Sequence, residues 1–141
     1  MIKKLKFILL VICFIFSSAN ISAKDSFQYW SRIMDAISYV ESKHNPKARN
    51  GSYVGILQIG PGMVKECNNI LKQNNESKRF TLNDRLNPKK SKEMFVLFQS
   101  KYNPSRNIEK GIRMWNGGPG YSVGKTNRYY KAVMKAYREG N

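Results

Sequence analysis

The chain has 141 residues and sets 25 Lys and Arg against nine Asp and Glu, a formal net charge of +16. That length fits one domain with a modest core, and so large a charge favours an anionic polymer as partner: nucleic acid, an anionic membrane surface or an acidic cell envelope. His44 is the only histidine, so no Cys/His zinc cluster can be assembled, and neither a metal nor a cofactor is expected.

The chain begins with a leader. Lys3, Lys4 and Lys6 form a basic stretch, Phe7 to Phe16 is an unbroken apolar run, and the small, polar "SSANISA" follows. This is the pattern of a secretory signal peptide over residues 1–23, with cleavage after Ala23 or Ala19. The apolar run is too short to span a bilayer, which needs about 20 apolar residues. Cys13 invites a lipoprotein reading, but Ile12 stands before it where a small residue is usual. The expected destination is the periplasm or the extracellular space. The remaining domain, residues 24–141, holds 22 Lys and Arg against nine acids, a formal charge of +13. Its basic residues are scattered, as on an ordinary solvated surface, and export argues against nucleic acid as partner. Only Cys67 is left after cleavage, so no internal disulfide forms, and a monomer is expected.

Five helices are predicted, giving a mainly α fold. The first runs from about Ser26 to Lys43, because Phe27, Trp30, Ile33, Met34, Ile37 and Val40 recur at three- and four-residue steps. It must stop near His44, since the residue before Pro46 avoids helical geometry. The stretch "GSYVGILQI" alternates weakly and suggests a small two- or three-stranded ribbon. Pro61 opens a second helix with Val64, Cys67, Ile70 and Leu71 on one stripe. Asn87-Pro88 opens a third, with Met94, Phe95, Leu97, Phe98 and Tyr102 as its apolar face. "NPS" at 103–105 ends it and starts a fourth, marked by Ile108, Ile112 and Trp115, which "NGGPG" at 116–120 stops. The last helix, from about Thr126 to Arg138, presents Tyr129, Tyr130, Val133, Met134 and Tyr137.

One residue breaks its own pattern. Glu41 lies four residues after Ile37 and seven after Met34, so it continues the buried stripe of the first helix. A carboxylate there loses hydration, which raises its pKa. A protonated glutamate at a cleft edge suits general-acid chemistry on a glycoside; a glutamate swung out at a frayed helix end, paired with Lys43 or an arginine, fits the pattern equally well. Most glycosidases need a second carboxylate. Asp35 lies about 120° around the helix from Glu41 and faces elsewhere. Glu66 and Asp84 are remote in sequence and stay open, so no partner is evident.

Four fragments in order resemble the lytic transglycosylases of the soluble, lysozyme-like type, relatives of goose-type lysozyme. Glu41-Ser42, with Asn45-Pro46 and Ala48 behind it, is similar to the family's catalytic Glu-Ser element. "GILQIGP" at 55–61 is similar to its Gly-Leu-Met-Gln-Ile block, "WNGGPG" at 115–120 to its Ala-Tyr-Asn-Ala-Gly-Pro block, and Thr126 with Tyr129 to its Glu-Thr-x-x-Tyr element. The resemblance spans roughly residues 28–137. It implies an α+β lysozyme-like fold with a loop lining a glycan cleft. It also implies cleavage of the β-1,4 bond between N-acetylmuramic acid and N-acetylglucosamine in peptidoglycan. Glu41 would be the single acid/base and the product would carry a 1,6-anhydromuramoyl end. Ser42, Asn50, Gln58, Trp115, Asn116 and Tyr129 would contact or position the glycan, and Gly55, Gly117 and Gly118 would let the backbone approach it. Asn50 stands where the family commonly has serine, Gly60 where it has methionine, Trp115 where it has tyrosine, and Lys125 where it has an acid. Two other readings remain: a lysozyme-type hydrolase using water, and a non-catalytic basic protein on the same fold that binds cell wall or nucleic acid.

Overall fold

The computed structural model describes residues 22–141. The leader assigned to residues 1–23 lies outside them apart from Ser22 and Ala23. The elements run α1 (Ala23–Ser42), β1 (Arg49–Asn50), β2 (Tyr53–Val54), α2 (Pro61–Gln73), a 3₁₀ turn (Leu82–Leu86), α3 (Pro88–Tyr102), α4 (Ile108–Gly117) and α5 (Val123–Glu139). The fold is mainly α with a two-stranded antiparallel ribbon, as expected.

The apolar stripes meet in one core. Trp30, Ile33, Met34 and Ile37 of α1 are buried with Val64, Cys67 and Leu71 of α2, Met94 and Phe95 of α3, Ile112 of α4 and Val133 of α5. Each such side chain withdrawn from water contributes roughly 1.5–3 kcal/mol. Helix α1 packs on α3, α4 and α5, while α2 packs on α3.

The helix ends show why the boundaries fall where they do. Helix α1 ends at Ser42, because Lys43 and His44 both take left-handed conformations, with φ of 53° and 62°. The Lys43 N–H donates to the Tyr39 carbonyl and the His44 N–H to that of Ser38, closing the last turn. Proline at 46 forbids further helix, but the stop is made by backbone that turns left-handed three residues sooner, at Lys43. Helix α4 starts later than expected, at Ile108. The "NPS" segment is a turn held by the buried Asn103, whose amide donates to Gln99 Oε1 (3.0 Å) and the Asn107 carbonyl (2.8 Å). Asn107 then caps α4 through Lys110 N. Helix α5 starts earlier, at Val123, because the Ser122 hydroxyl caps it.

The ribbon is two-stranded, with Arg49 opposite Val54 and Asn50 opposite Tyr53, and Val54 makes one further bridge to Ile59. The 3₁₀ turn was not anticipated, although Thr81 and Asp84 form a capping box that "TLND" spells out. Its Arg85 reaches across to the ribbon loop and donates to the carbonyls of Ser52 (2.8 Å) and Ile59 (3.1 Å). Among the described residues no helix is long and apolar enough to cross a membrane.

Candidate active site

The ribbon loop, the last turn of α1, the start of α2 and the end of α4 enclose an open groove of about 800 Å³. That falls within the size range of ligand pockets, about 300–1,000 Å³. Glu41, Asn50, Gln58, Trp115 and Asn116 all line it. Tyr129 reaches Glu41 from α5, its hydroxyl donating to Glu41 Oε1 at 2.8 Å. Ser42 is placed differently. Its hydroxyl lies 3.0 Å from the Ser38 carbonyl and 2.9 Å from that of Ile56, so it ties α1 to the loop and does not line the groove.

Glu41 is half-buried, and loss of hydration raises its pKa above the ordinary glutamate value. The Tyr129 hydrogen bond pulls the other way but is the weaker influence. The Tyr129 hydroxyl is itself driven well above the usual phenol range, first by burial and then by the adjacent carboxylate. It therefore stays a donor at any ordinary pH. Asp35, on the other side of α1, forms an ion pair with Lys92 of α3 at 2.7 Å.

The loop is a braced wall. Gln58 has a left-handed backbone, φ 48°, and its amide donates inward to the carbonyls of Gly55 (2.9 Å) and Ala48 (3.2 Å). Those bonds use both N–H groups and leave Oε1 as an acceptor. Trp115 stacks against Phe95 with ring centroids 4.9 Å apart and donates its indole N–H to the Leu57 carbonyl at 3.2 Å. It is thus both a groove residue and the pin between α4 and the loop. Asn116 is exposed and Asn50 lies on the exposed ribbon strand, and neither side chain is hydrogen-bonded among the described residues.

The glycines do different work from that expected. A Cβ on Gly55, φ 83°, would lie 1.9 Å from the Arg85 carbonyl oxygen, so this glycine admits the 3₁₀ turn and not a sugar. Gly117 is crowded by Tyr121 and Thr126, which makes it a packing glycine. Of these three, only Gly118, φ 76° with open space around its missing side chain, lines the groove. Thr126 is buried and bonded to Arg113 Nη1 at 3.1 Å, anchoring α5 to α4.

Of the two remote carboxylates that the sequence leaves open, one lies in the groove. Glu66 lines it, whereas Asp84 does not and instead pairs with Lys90. Glu66 Oε1 accepts from the Tyr102 hydroxyl at 2.6 Å and from Lys101 Nζ at 3.0 Å, and its pKa is lowered, chiefly by the Tyr102 hydrogen bond. No local pattern marks Glu66, which sits on the solvent side of the α2 stripe; its partners lie 35 and 36 residues away. The neighbouring Cys67 is buried, its thiol pushed up to about 12, and it is not a nucleophile. No cluster of three or more His, Cys, Asp or Glu that could hold a metal occurs among the described residues.

This arrangement offers one desolvated acid facing an open, polar-walled groove, with backbone and amide groups braced around it. The profile of the transglycosylase SLT domain matches residues 18–138. No curated protein and no solved structure gives a significant match. The profile covers most of the chain, which therefore belongs to the transglycosylase SLT family, whose members are lytic transglycosylases acting on peptidoglycan.

Proposed function

We propose that this chain cleaves the β-1,4 bond between N-acetylmuramic acid and N-acetylglucosamine with Glu41 as its one acid and base. The observation that carries the reading is the Glu41 carboxyl itself: half-buried on the groove wall, raised in pKa by burial, and held by a single phenolic donor. Protonated Glu41 donates to the glycosidic oxygen as the bond to the muramoyl anomeric carbon breaks. The resulting carboxylate then takes the proton from the 6-hydroxyl of the same muramoyl residue as that oxygen bonds to the anomeric carbon. The ring closes as a 1,6-anhydro sugar, no water is consumed, and Glu41 ends protonated, ready for the next turn. The substrate's own acetamido group would stabilise the positive charge that a second carboxylate meets in other glycosidases. Gln58 Oε1 and Asn116 would orient the sugar, and Tyr129 would hold the Glu41 carboxyl in one rotamer.

Export through the leader at residues 1–23 belongs to the same reading, with the basic surface holding a monomeric enzyme on an anionic envelope. N-terminal sequencing of the secreted protein should find a start at Asn20 or Lys24. The decisive experiment is mass spectrometry of muropeptides released by wild-type protein and by Glu41→Gln. Anhydro ends, one water lighter than reducing ends, are expected from the wild type, with almost nothing from the variant. Reducing ends would make it a hydrolase. Equal release by both proteins would remove Glu41 from the chemistry and favour a binding protein.

A further inference from the structure

The α2–α3 wall of the groove holds a polar group that the reaction just described does not use. Glu66 is fixed by two donors on one oxygen, the Tyr102 hydroxyl and the Lys101 ammonium, while among the described residues its Oε2 has only a long contact of 3.5 Å to Asn69 Nδ2. That second oxygen keeps its capacity to accept a hydrogen bond. Beside it the groove is lined by Met63, Phe98 and Tyr102, with the Phe98 and Tyr102 rings 4.9 Å apart. Phe98 is buried and Tyr102 half-buried, so both rings are held in place. An anchored acceptor next to an apolar surface matches a secondary acetamide, whose N–H and methyl lie along the same edge.

We propose that Glu66, Tyr102, Met63 and Phe98 form a subsite for the acetamido group of an N-acetylhexosamine. The N–H donates to Glu66 Oε2 and the methyl lies against the apolar side chains. The inference rests on the glycan-groove reading above and adds a specificity determinant on α2 and α3, helices other than those that carry Glu41 and Tyr129. Lys101 balances the Glu66 charge at 3.0 Å, so the subsite presents a hydrogen-bond acceptor more than a bare anion, and it selects a neutral amide over an ammonium. Because the Glu66 pKa is lowered, that acceptor persists through mildly acidic pH.

The test is binding, read without turnover, in the Glu41→Gln background. Dissociation constants are measured for the β-1,4-linked tetramer of N-acetylglucosamine and for its fully de-N-acetylated counterpart. The parent should prefer the acetylated tetramer. Glu66→Ala should weaken that ligand about tenfold and erase the preference, in line with loss of a hydrogen bond to a charged acceptor. Tyr102→Phe, which keeps the ring and only frees the carboxylate, should weaken it about threefold with the thermal unfolding curve little changed. Unchanged affinity in both variants, or tighter binding of the cationic tetramer by the parent, would overturn the proposal. Neither result bears on anhydro-end formation by the wild type, so failure of the subsite and failure of the catalytic reading are told apart.

Discussion

The groove has two carboxylates, and the helices that carry them treat them in opposite ways. On α1 Glu41 loses water and gains one neutral donor from α5, so the proton is favoured and the pKa rises. On α2 Glu66 gains a phenol and an ammonium from α3, which outweigh its smaller loss of water, so the charge is favoured and the pKa falls. The residue type is the same and the cavity is shared. What differs is whether burial outruns hydrogen bonding, and that separates a proton donor from a fixed acceptor.

The largest effect expected on this contrast comes from Glu41→Gln, which should lower peptidoglycan turnover on the order of 10³-fold while leaving glycan affinity intact. Assaying lysis rate and binding on the same preparation checks both halves. Next is Tyr129→Phe. With that donor gone, activity should fall roughly 10–100-fold through a freer carboxyl. Because that hydrogen bond lowers the Glu41 pKa, its loss raises the pKa further, and the alkaline limb of the pH–rate profile should move up. A limb that moves down would reverse the assignment of Glu41 as the acid.

A smaller, opposite pair of effects is expected on stability. Glu41 has a raised folded pKa, so its favourable contribution is present below the unfolded pKa and lost as pH rises through the folded one. Glu41→Gln should therefore unfold at a higher temperature than wild type at neutral pH, with the gap closing on acidification. Glu66 has a lowered folded pKa, so its contribution is present above the unfolded value and lost as pH falls through the folded one. Glu66→Gln should melt lower at neutral pH, and that gap too should close in acid. Thermal melts of the three proteins across pH 3–8 would show the two signs. The smallest effect is expected of Lys101→Met. Water screens so exposed an ion pair, so stability should barely change and only the selection against cationic ligands should weaken.

Much of the helical frame was readable because it follows from periodicity. All four stripe residues of α2 are buried, as are Trp30, Ile33, Met34 and Ile37 of α1, and Glu41 does sit where its stripe meets the groove. The boundaries that moved were set by side chains making caps, Asn107 for α4 and Ser122 for α5, and by the left-handed Lys43 and His44. Local spacing does not reveal such choices, since Pro104 and Thr126 were equally good stop and start signals. The site was legible where it lay in contiguous blocks and illegible where it depended on contacts between distant segments. Glu66 with Tyr102, and Arg85 with the ribbon loop, are joined only by the tertiary fold. Gly55 shows the same limit. Its need for glycine was foreseeable, but the neighbour that imposes it, the Arg85 carbonyl, was not.

The central claim is that Glu41 keeps its proton where an ordinary glutamate has lost it. Carbon-13 NMR of the side-chain carboxyls, titrated from pH 2 to 9 with Glu41→Gln and Glu66→Gln to assign the signals, measures this directly. The account predicts a Glu41 midpoint above the ordinary 4.5 and a Glu66 midpoint below it in the same molecule. A Glu41 midpoint at or below 4.5 would contradict it, because the groove would then face the glycan with a carboxylate that has no proton to give.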